Sequence, residues 1–183
     1  MYLLIKNALK NYFDLLFPLG DYSAFYDNLH NYLPFIGFVI TIFSALRLAK
    51  FNIDTRQSNS FIGLPTPANT ILICSLLLIV KQSQGVNINP STSVLITANL
   101  INRNPFFLIG LTLLMSYLLI AELPLFALKF KNFGWSDNKV RYSFLILSVI
   151  LLILFQFIAI PFIIFLYIIL SVINTIFNKG KST

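Results

Sequence analysis

The stretch YSFLILSVILLILFQFIAIPFIIFLYIILSVINTIF, residues 142–177, contains no charged side chain. As a single α-helix it would be about 54 Å long, nearly twice the roughly 30 Å hydrocarbon core of a bilayer. One straight span does not need that length, and water is a poor solvent for so much apolar surface. Pro161 stands near the middle, where it removes a backbone donor and crowds the preceding turn. The stretch is therefore predicted to form two membrane helices, 142–158 and 161–177, joined by a tight hairpin.

Outward from this run, the rest of the chain has the same character. The 183 residues are 57% hydrophobic and 10% charged, with 19 phenylalanines. A soluble domain carries about a quarter charged residues, so most of this surface must face lipid. Further apolar regions lie at about 33–50, 67–80 and 105–129. The expected fold is all-α: a polytopic membrane helix bundle forming a single membrane domain over 1–183. It would have about five full transmembrane helices plus an N-terminal stub at residues 1–10.

The opening MYLLIKNALKNYF has too short an apolar run for a signal peptide, and no small-residue cleavage site follows it. It starts abruptly in apolar sequence, as though the first part of a helix lay upstream. Loop 11–32, with Asp14, Asp21 and Asp27, suits an outer interfacial segment. The polar stretch 81–104 reads as a second outer loop with a short interfacial piece.

A net charge of +7 raises the question of nucleic acid. The cations are scattered between apolar spans, however, rather than gathered into one stripe, so nucleic acid is not an expected partner. They do sort by side. If helix 33–50 ends in the cytoplasm, then Arg47, Lys50, Arg56, Lys129, Lys131, Lys139, Arg141, Lys179 and Lys181 lie inside. Only Lys6, Lys10, Lys81 and Arg103 lie outside, and that bias supports the orientation. Splitting the last run at Pro161 keeps Lys179 and Lys181 on the inner side. Cys74, the single cysteine, sits in an apolar run and reads as a small packing residue.

Three short motifs carry polar chemistry. In SALRLAKFNIDTRQ, residues 44–57, Arg47 and Lys50 are three apart and share a helix face, with Asn52 just beyond. Such cations ordinarily end a span and snorkel to the interface. Arg47, though, lies about a turn inside the apolar run, where a charge costs a few kcal/mol unless it faces protein or a polar cavity. Two cations on one face at headgroup depth suit a phosphate or carboxylate. In FIGLPTPAN, residues 61–69, Gly63, Pro65 and Pro67 mark a helix entry whose N–H groups could face the same anion. In LLIAELPLF, residues 118–126, Glu122 is an acid within an apolar region, and a pair with Arg47 or Lys50 is expected. His30 has no second ligand-type residue near it in sequence and reads as structural or solvated. No nucleophile motif, His/Cys cluster or Gly-rich phosphate loop is present. The six acids include no close pair at helical spacing, so no metal site is expected within the chain.

Taken together, ALRLAKFNIDTRQ, FIGLPTPAN and AELPLFALKFKNFGWSDNKVRY resemble one family, with RLAKFN followed by GLPTPA the most specific part. They are similar to the C-terminal two-thirds of the phosphatidylserine synthases, a branch of the CDP-alcohol phosphatidyltransferases, from residue 33 onward. The resemblance implies phospholipid biosynthesis in a bacterial inner membrane, with the active side cytoplasmic. In that reaction the hydroxyl of L-serine attacks CDP-diacylglycerol, giving phosphatidylserine and CMP. It implies Mg²⁺ or Mn²⁺ as cofactor, and a homodimer is one assembly it admits. Arg47, Lys50 and Asn52 would contact the lipid-linked pyrophosphate or the serine carboxylate. Gly63, Pro65, Pro67 and Glu122 would support them.

The family's metal ligands and base lie in a signature, D-G-x2-A-R-x8-G-x3-D-x3-D. This sequence has no D-G dipeptide and no D-x3-D. The chain is accordingly expected to be N-terminally truncated relative to the family and inactive alone, with no catalytic residue or metal ligand of its own. Other readings stay open: a transferase with another acceptor alcohol, a non-catalytic membrane remnant, or a small transporter subunit.

Overall fold

Residues 142–177 do fold back on themselves, but not where Pro161 suggests. In the computed structural model, which describes residues 1–17, 24–54, 60–84, 92–126 and 134–179, two helices occupy this region. Helix α7 spans Trp135–Phe155 and helix α8 spans Ala159–Lys179, with a 3₁₀ turn at Gln156–Ile158 between them. The Phe144 and Tyr167 rings lie 5.8 Å apart, whereas a continuous helix would separate those residues by about 34 Å. The break falls at Gln156, whose φ of 50° and ψ of −126° leave the helical region. Pro161 sits instead in the first turn of α8, where its missing N–H costs no helical hydrogen bond. The proline thus helps start the second helix rather than end the first.

The remaining elements, in chain order, begin with α1 (Tyr2–Leu16), α2 (Ala24–Tyr32), a 3₁₀ segment Leu33–Phe38 and α3 (Val39–Ile53). After strand β1 (Ser60–Ile62) come α4 (Thr66–Gln84), α5 (Thr92–Arg103), α6 (Pro105–Ile120) and strand β2 (Pro124–Phe126). The stub expected at 1–10 is thus a longer helix. The fold is all-α apart from the two three-residue strands, which periodicity does not reveal at that length. Lys129, Lys131, Arg56 and Lys181, used in the charge count, fall outside the described residues.

Three helical stretches are long and apolar enough to cross a membrane: Asn28–Ile53, Thr66–Ser83 and Asn138–Thr175. A fourth arises if Val94–Arg103 and Pro105–Ile120, bent by 88°, form one span. By length and composition these make three to four spans, with the α7–α8 hairpin counted as one stretch, and five separate spans are not shown. In the region 105–129 the helix ends at Ile120. Pro124 disfavours helical backbone at Leu123, and residues 124–126 pair with β1 instead. The 88° corner has its own local cause. The Asn104 side-chain oxygen accepts the Phe107 N–H at 3.1 Å, capping α6, with Pro105 as its first residue.

The chain divides into two compact units, Met1–Leu46 with Leu76–Tyr117 and Arg47–Ser75 with Leu118–Thr183. In the first, α1 buries Leu4, Ile5, Ala8 and Leu9, one stripe at helical spacing, against α5 and the 3₁₀ segment. Gly37 makes that fit possible, since a Cβ there would meet the Tyr2 backbone nitrogen at 2.6 Å. In the second, α7 and α8 meet along Phe144, Ser148, Ile164, Tyr167 and Ser171, all buried. The opposite faces of this hairpin, with Ile146, Ile153, Leu154 and Phe162 among them, are exposed, as suits a lipid solvent. Hydroxyls inside the helices bond to their own backbone: Ser148 donates to the Phe144 carbonyl at 2.7 Å and Thr112 to that of Leu108 at 2.7 Å. Such bonding lets polar side chains sit in an apolar medium without a distant partner.

Candidate functional site

The candidate binding residues Arg47, Lys50, Asn52, Gly63, Pro65, Pro67 and Glu122 fall in the second unit. Helix α3 ends at Ile53, so Arg47 and Lys50 occupy its last two turns. Their environments differ sharply. Arg47 is only 8% exposed, and its Nε is buried without a hydrogen-bond partner among the described residues. Its guanidinium lies 5.8 Å from the centre of the Phe51 ring and within electrostatic range of Tyr167. A desolvated guanidinium with an unused donor is costly unless something anionic shares its site.

Lys50 reaches outward. Its Nζ donates to Glu122 Oε1 at 3.0 Å, so the expected pair forms with Lys50. Glu122 is not inside a span, as its apolar neighbours suggested. It lies in the turn after α6, with its side chain 65% exposed. A pair this wet contributes at most about 1 kcal/mol, and its effect is chiefly to tether the end of α3 to that turn. Asn52, two residues on from Lys50, is exposed.

The turn carrying Glu122 is also where Gly63 acts. Gly63 has φ of 78°, a conformation that favours glycine. A Cβ there would lie 2.7 Å from the Leu119 carbonyl oxygen and 2.9 Å from that of Ala121. The close approach lets Gly63 N–H donate to Leu123 O and Leu64 N–H to Leu118 O, each at 2.9 Å. Strands β1 and β2 continue the contact antiparallel, Ile62 opposite Pro124 and Ser60 opposite Phe126. Thr175 Oγ1 of α8 adds a 3.3 Å bond to the Pro124 carbonyl. The entry to α4 is thereby held against the end of α6 by backbone.

Pro65 and Pro67 then line a cavity of about 440 Å³ together with Phe144, Ile164 and Tyr167. One turn into α4, Asn69 is 1% exposed, and its Oδ1 has no hydrogen-bond partner among the described residues. The structure therefore joins Lys50 to Glu122 directly, and Gly63 to the backbone beside Glu122. It places Pro65 and Pro67 on the cavity wall. Sequence reasoning missed Asn69 and Tyr167. Asn69 was within reach, as the last residue of FIGLPTPAN and a polar side chain about to be buried. Tyr167 resembled its apolar neighbours, and only the turn at Gln156 brings it opposite Phe144.

Among the described residues no group of three or more His, Cys, Asp or Glu side chains is placed to hold a metal ion. The donor set here, one carboxylate already paired with a lysine, does not fit a bridging Mg²⁺ or Mn²⁺. The chain matches no known protein family, no curated protein and no solved structure.

Proposed function

We propose that the second unit binds an anionic, phosphate-bearing lipid, as the headgroup-holding part of a CDP-alcohol phosphatidyltransferase with CDP-diacylglycerol and L-serine as substrates. The observation carrying the reading is Arg47, buried with an unused Nε donor one turn before Lys50. A phosphate supplies the acceptors this guanidinium lacks, in a bond roughly twice as strong as a neutral one. The cavity beside Pro65, Pro67 and Tyr167 supports the same reading, being large and apolar enough for part of an acyl chain. Lys50 and Glu122 hold the end of α3 in place, and the excess of cations on the α3-exit side favours a cytoplasmic headgroup. A transporter subunit is the weaker reading, because the polar side chains here gather at helix ends rather than along a pathway.

The chemistry assigned to this chain is binding and orientation, because the acids of the family signature are absent from its sequence. The test is CDP-diacylglycerol binding by the purified full chain in nanodiscs. Wild type should bind it more tightly than diacylglycerol. Arg47→Gln should weaken binding tenfold or more, the worth of about one charge-assisted hydrogen bond. Lys50→Gln, at a wetter site, should weaken it less and serves if the Arg47 variant misfolds. Equal affinity for CDP-diacylglycerol and diacylglycerol would sink the reading. Serine-dependent CMP release by this chain alone would refute the restriction to binding.

A further inference from the structure

Arg47 and Lys50 stand three residues apart near the end of α3, so their side chains leave the same face of the helix. One is buried with an unused Nε donor, and the other already holds a partner, Glu122 Oε1 at 3.0 Å. A carboxylate on Lys50 therefore occupies a place that an anion seated on Arg47 would use. The need for a second cation is set by the helix itself. Helix α3 ends at Ile53, and its last carbonyls carry the negative end of the dipole. A phosphate on Arg47 would approach that end with one cation to offset the repulsion. Lys50, in the final turn, is placed to supply another.

Magnitudes decide which acceptor Lys50 takes. The Lys50 and Glu122 side chains are 38% and 65% exposed, and a pair that wet is held by a factor of about five at most. A charge-assisted hydrogen bond from an ammonium to phosphate is worth roughly tenfold to a hundredfold. The phosphate wins, and the released carboxylate is rehydrated where it stands. Only a side chain has to move. Gly63 N–H to Leu123 O and Leu64 N–H to Leu118 O, each at 2.9 Å, fix the backbone on either side of Glu122. The flexible four-carbon stem of Lys50 supplies the motion.

We infer that Glu122 is an internal competitor of the ligand: it holds Lys50 while the site is empty and yields it to the phosphate that binds Arg47. Glu122 thus lowers the affinity of the site without touching the ligand. The inference rests on the reading that Arg47 seats a phosphate.

The test is a binding cycle with the purified full chain in nanodiscs, with CDP-diacylglycerol and diacylglycerol as probes. The proteins are wild type, Glu122→Gln, Lys50→Gln and the double variant. Glu122→Gln should bind CDP-diacylglycerol about twofold to fivefold more tightly than wild type, because no pair has to break first. The gain should vanish in the Lys50→Gln background and shrink in high salt. Glu122→Ala, which puts no amide in place of the carboxylate, should repeat it. A Glu122→Gln protein that binds no more tightly than wild type would overturn the inference. So would an equal gain with and without Lys50, which marks plain repulsion between carboxylate and phosphate. If wild type prefers CDP-diacylglycerol and Arg47→Gln weakens it, while Glu122→Gln gains nothing, the phosphate site stands and the competitor alone fails. If wild type binds both lipids equally, the phosphate site fails and the competitor falls with it.

Discussion

Replacing Gly63 by alanine tests how the α4 entry is built. The residue sits at φ of 78°, where a side chain costs about 1–2 kcal/mol. The new Cβ would also meet two backbone oxygens, Leu119 O at 2.7 Å and Ala121 O at 2.9 Å, and backbone cannot swing aside as a side-chain tip can. Relief requires the loop to move away from the end of α6, stretching the bonds Gly63 N–H to Leu123 O and Leu64 N–H to Leu118 O. Each is worth about 1 kcal/mol. The combined loss is about 3–4 kcal/mol, or roughly 6–16 °C in Tm for a chain of this size. Thermal unfolding in detergent, followed by intrinsic fluorescence, reads this directly. Gly110→Ala is the internal control. Nothing lies within 4 Å of a Cβ at that helical position, so the variant should match wild type or gain up to about 1 kcal/mol. A Gly63→Ala protein melting within about 3 °C of wild type would refute the close-approach reasoning.

Gln156→Gly should raise Tm by roughly 2–4 °C, because glycine accepts φ of 50° without the roughly 1 kcal/mol that glutamine incurs; a fall in Tm would show the side chain holds the hairpin turn. Asn104→Ala should cost about 1 kcal/mol through the lost cap on α6, seen as a lower Tm, whereas Asn104→Asp should cost much less. A double-mutant cycle on Lys50 and Glu122 should give a coupling below about 1 kcal/mol that shrinks further in high salt; a larger, salt-insensitive value would contradict the exposure of the pair.

The sequence by itself determined the class of fold, because lipid as solvent leaves its mark on composition. An uncharged run from 142 to 177 has few folded alternatives to membrane helices, and its excess length alone demands a reversal. Sequence also pointed to Arg47 and Lys50, since a cation inside an apolar run is conspicuous wherever it lies. Tertiary structure decided the rest. The reversal fell at Gln156 because Pro161 is tolerated in a helix's first turn. Helix α6 ended at Ile120 because residues 124–126 found a strand partner in 60–62, a long-range pairing that no local pattern encodes. Most consequentially, the fold separated two cations that look alike in sequence. Lys50 was turned toward Glu122 and water, while Arg47 was buried with a donor unused. The difference is set by which neighbours crowd each face of α3, and a helix's own sequence does not contain its neighbours.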